Sequence, residues 1–420
     1  MSSWPALYRG VMRGAGDSLS VGERIAFYRR RRGLSQAVLA GLVGRSEDWL
    51  SKIERGDRPA RRLDVLSEVA TALRVTLGDL LGQPVLVETE VPRDQDVPAV
   101  RDALMAPHRL SRVLFARDDA PVADAESAAA LAESAWTNFQ DGRIGRVIAA
   151  LPALIAASQA LEDQASSSQA QACWAVSARV HHLAASTMSK IGESDLAWIA
   201  AERAMHAADQ ADDPLVLASA ARSGTHALLS VGRYDDAMQL GATAAQWLAS
   251  QVRNSGPEAL SLLGMLHLRS AVAAARHQDR GAVVDLLRRA TEAASRLGED
   301  GNYWQTGFGP TNVRLHEMST ALDLGDIAFV VEYGSSVDAS SMPVERQATH
   351  HIDVARALSY VADDEGALAK LLEAERQAPQ LVRHSSAVRE TVRSMHRRTP
   401  ASASRAVPLR GLAERCQAVQ

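Results

Sequence analysis

The sequence predicts an all-α protein built in two unequal parts, a small helical head and a long body of antiparallel helical hairpins. Hydrophobic residues make up 46% of the 420 and aromatic residues only 4%, with alanine recurring throughout, a composition that packs helices against helices rather than sheets. Apolar positions repeat at helical spacing from Val21 onward, while alternating strand-like runs are scarce. Turn signals built on glycine and aspartate then recur along the second half, as they do in chains of stacked hairpins.

Charge is unevenly distributed. The formal net charge is −4, yet between Ser20 and Arg62 the bases exceed the acids by six. The head is therefore suited to a polyanion and the remainder is net acidic. Met1 to Gly16 lacks a basic segment followed by a continuous apolar one, and no continuous apolar run of about 18 residues stands out, so a cytoplasmic protein with no membrane partner is expected. Two cysteines, Cys173 and Cys416, make neither a disulfide framework nor a metal set.

The same reading leads away from catalysis and cofactors. No phosphate loop, nucleophile elbow or dinucleotide fingerprint occurs. His316-Glu317-Met318-Ser319-Thr320 lacks the second histidine of a zinc-protease helix. His181-His182 and His350-His351 are adjacent on helices, so the two rings of each pair point about 100° apart and do not readily share a metal. The expectation is a protein that is not an enzyme and takes neither metal nor cofactor.

In the head, Val21, Ile25 and Tyr28 define a first helix that ends at Gly33 with an arginine-rich last turn, Arg29-Arg30-Arg31-Arg32. Ser35 is placed to cap a short helix running from Gln36 through Val43, and Gly44 permits a tight turn. Ser46 then caps a helix from Glu47 to Arg55, with Trp49, Leu50 and Ile53 on or near its inner side and Gly56 as a left-handed stop. Two short helices joined by a tight glycine turn make a helix-turn-helix.

These residues resemble the lambda-repressor/Cro-like family, also called the xenobiotic-response-element (XRE) family, over Val21 to Gly82. Gln36 opens the motif, Ala40 is the small residue under the turn, Gly44 is the turn, and Ile53-Glu54-Arg55-Gly56 closes it. Leu63, Leu66, Ala70 and Leu73, then Val75, Leu77, Leu80 and Leu81, look like that family's fourth and fifth helices. The resemblance implies a five-helix Cro-type domain whose Glu47 to Arg55 helix enters the major groove. By it, Gln36, Ser46, Glu47, Asp48, Ser51 and Lys52 face base edges, while Arg45, Arg55, Arg58, Arg61 and Arg62 bind phosphate and fix register. Glu47 and Asp48, two adjacent acids on the reading helix, depart from amide-rich members of that family.

Beyond Gln83, prolines 92, 98, 107 and 121 interrupt any long helix, although Val100 to Met105 and Leu110 to Phe115 are apolar enough to pack. From Ala125 to about Arg398 a turn-plus-helix unit recurs at Gly142, Gly192, Gly232, Gln278, Gly325 and Ala362, about 37 to 50 residues apart. Its small and aromatic positions resemble a tetratricopeptide unit; about six such hairpins would stack into a superhelix with a concave binding face. The expected organisation is a flexible N-terminal segment over 1–19, a helix-turn-helix domain over 20–82, a linker over 83–124, a tetratricopeptide-like domain over 125–398 and a C-terminal tail over 399–420.

One segment, Gly301 to His316, concentrates aromatic, glycine and polar residues. With a helix starting near Pro310, Asn312 and His316 share one face, and Tyr303, Trp304 and Phe308 are candidates for a ligand pocket's walls. The alternative is an inter-repeat loop plugged into the superhelix core. The whole chain resembles bacterial regulators that fuse a Cro-like head to a tetratricopeptide-like sensor. That resemblance implies a nucleoid-associated homodimer on a double-stranded DNA operator, answering a peptide or small-molecule effector. The competing reading is a DNA-tethered adaptor whose body recruits a protein partner.

Overall fold

The computed structural model describes residues 20–31, 34–58, 63–73, 75, 80, 97–110, 114, 124–165, 169–251, 256–400 and 402–418. The predicted flexible segment 1–19, most of the predicted fifth helix, and Arg61 and Arg62 lie outside them. The described residues are helical almost throughout, with one isolated antiparallel bridge, Gly301 to Phe308, and no strand. The chain divides into two compact units, Met1–Pro92 and Arg93–Gln420.

In the first unit, α1 (Val21–Arg31), α2 (Gln36–Leu42), α3 (Glu47–Glu54) and α4 (Leu63–Leu73) surround a core of Ile25, Leu39, Leu50, Ile53, Leu66, Val69 and Leu73, joined by Leu80. Each of the first three helices starts on a side-chain cap. Ser20 and Glu23 form a capping box, the Ser20 amide donating to Glu23 Oε2 at 2.7 Å and the Glu23 amide to Ser20 Oγ at 3.3 Å. Ser35 accepts from the Val38 amide and Ser46 from the Trp49 amide, both at 3.2 Å. Gly44 (φ 62°) and Gly56 (φ 81°) take the left-handed conformation that turn and stop require. A Cβ on Gly22 would lie 2.0 Å from the Ile53 carbonyl oxygen, so this glycine sets how closely α1 approaches α3.

The second unit is a run of six hairpins: α6 (Ala125–Gln140) with α7 (Ile144–Gln164), α8 (Ala170–Ile191) with α9 (Ser194–Ala211), and α10 (Pro214–Ser230) with α11 (Tyr234–Gln251). They continue as α12 (Pro257–Arg276) with α13 (Arg280–Leu297), α14 (Pro310–Asp323) with α15 (Ile327–Tyr333), and α16 (Val344–Tyr360) with α17 (Asp364–Gln377). At the hinge of each hairpin one residue has positive φ: Gly142, Gly192, Gly232, Gln278, Gly325 and Ala362, the six positions at which the sequence repeats. Four hinges are glycine because that conformation costs other L-residues roughly 1–2 kcal/mol.

The first helix of every hairpin packs on the first helix of the next, from α6 through α16, and α16 returns to touch α6. The hairpins therefore close into a ring rather than leaving an open superhelical groove. Trp136 and Phe139 of α6 share one core with Ala348, Ile352 and Ala355 of α16. Across the seam, Lys190 pairs with Glu345 and donates to Thr349 Oγ1 at 3.2 Å. The alanine-rich composition makes closure feasible, since small side chains at Ala184, Ala201, Ala227, Ala273 and Ala348 let the axes approach.

Two expected boundaries differ. The residues assigned to the linker include α5 (Val97–Leu104), whose Val100 and Leu104 are fully buried in the body's core, while Leu110 and Leu114 are exposed instead of packed. Arg101 bonds to Glu193 and Asp195 at 3.0 and 2.9 Å, and Arg109 to Glu162 at 2.6 Å, fastening this segment to the hairpins. The expected tail likewise holds α20 (Ala406–Arg415), reached through α18 (Pro379–His384) and α19 (Ser386–Arg398). Leu409, Leu412 and Cys416 are buried beside Val388 and Val392. Burial raises the Cys416 thiol to about 11, leaving it protonated.

The long apolar stretch not evident in the sequence does exist as a helix. Ile144–Gln164 is 21 residues long, holds an 18-residue stretch of mean hydropathy 1.6, and is long and apolar enough to cross a membrane. Its Ile144, Val147, Leu151, Leu154 and Ile155 face the body's core.

Candidate nucleic-acid interface

The inner side of α3 is occupied by Leu50 and Ile53, both buried, which leaves the opposite side to solvent. Arg45, Ser46, Glu47, Asp48, Lys52, Arg55 and Arg58 are exposed, and Gln36 and Ser51 are half-buried. Most of the described residues that the sequence assigned to base and phosphate contact are thus exposed. Arg45 lies over the Trp49 ring at 5.9 Å, a cation–π contact that orients it from the turn.

The acids on α3 have local work. Glu47 and Asp48 sit in the first turn of α3, where carboxylates suit the helix dipole. Asp48 also holds Lys52 one turn on, at 2.7 Å between exposed side chains. A surface pair of that kind is worth about 0–1 kcal/mol, so a phosphate or base edge can displace it. Arg55 is paired with Asp57 at 3.0 Å in the same exposed manner.

Gln36 is committed within the unit. Its Nε2 donates to Glu54 Oε2 at 2.7 Å, and Glu54 also receives two hydrogen bonds from Arg29. Burial alone pushes the Glu54 carboxyl up, but the Arg29 and Gln36 hydrogen bonds outweigh it and hold the group below its ordinary value. Arg29, whose remaining Nη1 donates to the Leu34 carbonyl at 2.9 Å, is thus a structural residue, unlike the exposed Arg30 beside it. No periodicity could distinguish it from Arg30, because its role depends on Glu54 arriving 25 residues later.

The aromatic segment of the body is a core plug. A helix does begin at Pro310. Phe308 is fully buried against Met265, Leu268 and Val313, and a Cβ on Gly264 would overlap its ring at 1.9 Å. Asn312 is fully buried, its Nδ2 donating to the Gly307 carbonyl at 2.8 Å, and His316 Nδ1 bonds to the Asn312 carbonyl at 2.9 Å. Tyr303 and Trp304 pack outward of them, with the Arg179 guanidinium 5.1 Å from the Trp304 ring. None of these five residues lines the cavity among the first helices. The neighbouring Gln305 and Thr306 face it instead.

Residues 20–81 match the family model described as a helix-turn-helix domain. The N-terminal unit is a helix-turn-helix domain. The match covers the whole of the α1–α4 core and the Glu47–Glu54 helix at its centre. A crystal structure of Bacillus thuringiensis PlcR in complex with the peptide PapR7 and DNA is similar over 66% of this chain and 95% of that one, at 16% identity and a TM-score of 0.30. No curated protein sequence matches the chain.

Proposed function

We propose that this protein is a sequence-specific transcription regulator that docks the helix-turn-helix domain on double-stranded DNA and uses the helical body to sense a ligand and to dimerise. The observation that carries the reading is the division of α3: Leu50 and Ile53 anchor it, Lys52 of its last turn is exposed, and Glu47 and Asp48 point away from the core at its N-terminal end. That is the end such helices present to base edges in the major groove. Lys52 is suited to guanine and Glu47 or Asp48 to cytosine N4, each good contact discriminating by about 1–3 kcal/mol. Arg45, Arg55, Arg58, Arg61 and Arg62 supply the phosphate contacts. Gln36 reads a base only by exchanging its bond to Glu54, so it is the least favoured of the set.

A two-fold related operator requires paired heads, which is the reason for proposing a homodimer. A regulator of this kind acts where the chromosome lies, in the cytoplasm of a bacterium. The test is selection of bound duplexes from a random pool by the purified full chain, followed by binding to the selected and scrambled sites across a salt series. A selected sequence bound at least a thousandfold more tightly than the scramble supports the reading. Equal affinity for both, or no binding at low salt, defeats it.

A further inference from the structure

Inside the ring of first helices lies a small cavity of about 40 Å³, room for a few water-sized groups. Its wall is unusual in charge. Lys190 of α8, Arg222 of α10, Arg269 of α12 and Arg346 of α16 all line it, each from a different hairpin, and one carboxylate, Glu345, lines it with them. Glu345 is ion-paired with Lys190 and acts on Arg346 and Arg269 only through space, one negative charge against three guanidinium groups. Beside the Lys190–Glu345 pair, three guanidinium groups share a partly open space whose remaining lining groups are uncharged or, like His182 and His226, driven toward the neutral form by burial and by nearby cations.

None of the three has a carboxylate of its own among the described residues. Arg222 is 7% exposed; its Nη2 faces His182 Nε2 at 3.3 Å, its Nη1 reaches the Gln305 carbonyl at 3.5 Å, and its Nε has no partner. Arg269 and Arg346 make no hydrogen bond or ion pair with any described side chain. Burial and mutual repulsion lower Arg269 to about 9 and Arg222 to about 10, so both stay charged at neutral pH and press on one another. Clustered charges removed from water are costly unless an opposite charge joins them.

The loop at the cavity wall is also held in an uncommon backbone. Trp304 (φ 55°) and Gln305 (φ 52°) are consecutive non-glycine residues in the left-handed region, and this turns the Gln305 carbonyl toward Arg222. Such conformations persist where surrounding contacts over-determine them, commonly at ligand sites. Here Gln305 is gripped on its other side by Arg179 and by Glu133, at 2.8 Å each.

We propose that this chamber binds a compact oxyanion carrying two or three negative charges, clamped by Arg222, Arg269 and Arg346. Guanidinium forks match phosphate and carboxylate oxygens alike, so the shared chemistry is a small multivalent oxyanion. The volume of about 40 Å³ admits a small compact group and not a peptide. The proposal deepens the ligand-sensing half of the proposed function and rests on that reading only for its link to DNA. An anion on three helices of a closed ring would bridge hairpins that otherwise repel.

The experiment uses the purified full chain in sodium chloride, titrated with inorganic phosphate, sulfate or malonate at constant ionic strength while its thermal midpoint is followed. The midpoint should rise and saturate with at least one of them over the chloride control; phosphate and sulfate acting alone point to a tetrahedral oxyanion, malonate alone to a dicarboxylate. R222Q and R269Q should weaken the apparent affinity at least tenfold, whereas R55A in the head should leave it unchanged. In chloride alone R269Q should melt no lower than the parent, because it relieves repulsion; a merely structural arginine would lower it. Should either variant fail to fold, R346Q at the half-buried edge of the chamber serves as the third. No anion-specific rise, or a rise that follows R55A and ignores the chamber variants, overturns the proposal. A saturating rise with unchanged affinity for selected DNA leaves this site standing and defeats the sensing role, while loss of DNA binding by itself concerns the head alone.

Discussion

Arg29 and Glu54 are joined by two parallel hydrogen bonds, Nε to Oε1 at 2.6 Å and Nη2 to Oε2 at 2.7 Å, tying the last turn of α1 to the last residue of α3. Their side chains are only 11% and 5% exposed. Deleting one member of such a pair leaves the other charge buried, which costs about 3–5 kcal/mol. Arg29→Ala or Glu54→Ala should therefore strip hydrogen-exchange protection from residues 21–58 while amides of the hairpins keep theirs. Unchanged protection in the head would show that the pair is incidental.

The same pair makes the head sensitive to acid. Glu54 is held below its ordinary value by Arg29 and Gln36, against the upward push of burial. A depressed carboxyl contributes stability that is fully present above its unfolded value, about 4.3, and is lost as pH falls through the folded value. Unfolding of the head followed from pH 7 downward should stay level until about pH 5 and weaken below it. In Glu54→Gln the slope attributable to this group should vanish, and a slope identical to the parent's would assign it elsewhere.

Lys52 and Arg55 should separate by role. Lys52 is exposed in the last turn of α3, and Arg55 caps the C-terminal end of that helix. Lys52→Ala should relax sequence preference by about 1–3 kcal/mol. Arg55→Ala should weaken selected and scrambled duplexes alike and reduce the salt slope by about one. Fluorescence anisotropy over a salt series distinguishes the two, and equal loss on both duplexes for both variants would contradict the assignment.

The aromatic plug depends on one missing methyl group. Gly264→Ala would press a Cβ into the Phe308 ring, and overpacking of this kind costs about 1–3 kcal/mol. The body's thermal midpoint should fall, and Phe308→Leu in the same chain should recover part of the loss. A neutral Gly264→Ala would mean that the ring can shift freely.

Ala362 occupies the hinge position at which four other hairpins carry glycine, with φ 62°. Relief of the left-handed strain outweighs the extra freedom glycine adds to the unfolded chain, so Ala362→Gly should gain up to about 1 kcal/mol in denaturant unfolding. Gln278→Gly should gain less, because the Gln278 side chain donates to the Ala275 and Asp323 carbonyls. The reverse order would remove hinge strain as the explanation.

Much of this was legible in the residues because its causes are local. Ser35, Ser46, Gly44 and Gly56 announce the helix-turn-helix through caps and turns that span three or four positions, and the six hinges announce the hairpins in the same way. The chamber left a fainter trace. Each of its cations sits in the first helix of a hairpin, Arg222 and Arg269 amid small and apolar neighbours such as Ala220, Ala221, Leu268 and Ser270, but a single base on an alanine-rich helix ordinarily marks a solvated face.

By itself the sequence determined that the chain is all helical, where its hinges fall, and which short helix presents its polar side outward. Periodicity and capping act over one or two turns, and those are fully written in neighbouring residues. Only the tertiary structure decided that α16 returns to α6, that Arg29 serves Glu54 rather than solvent, and that Lys190, Arg222, Arg269 and Arg346 converge although up to 156 residues separate them. Convergence of that kind follows from the small angular offset accumulated at each successive hairpin, a quantity set by side-chain packing across the whole ring.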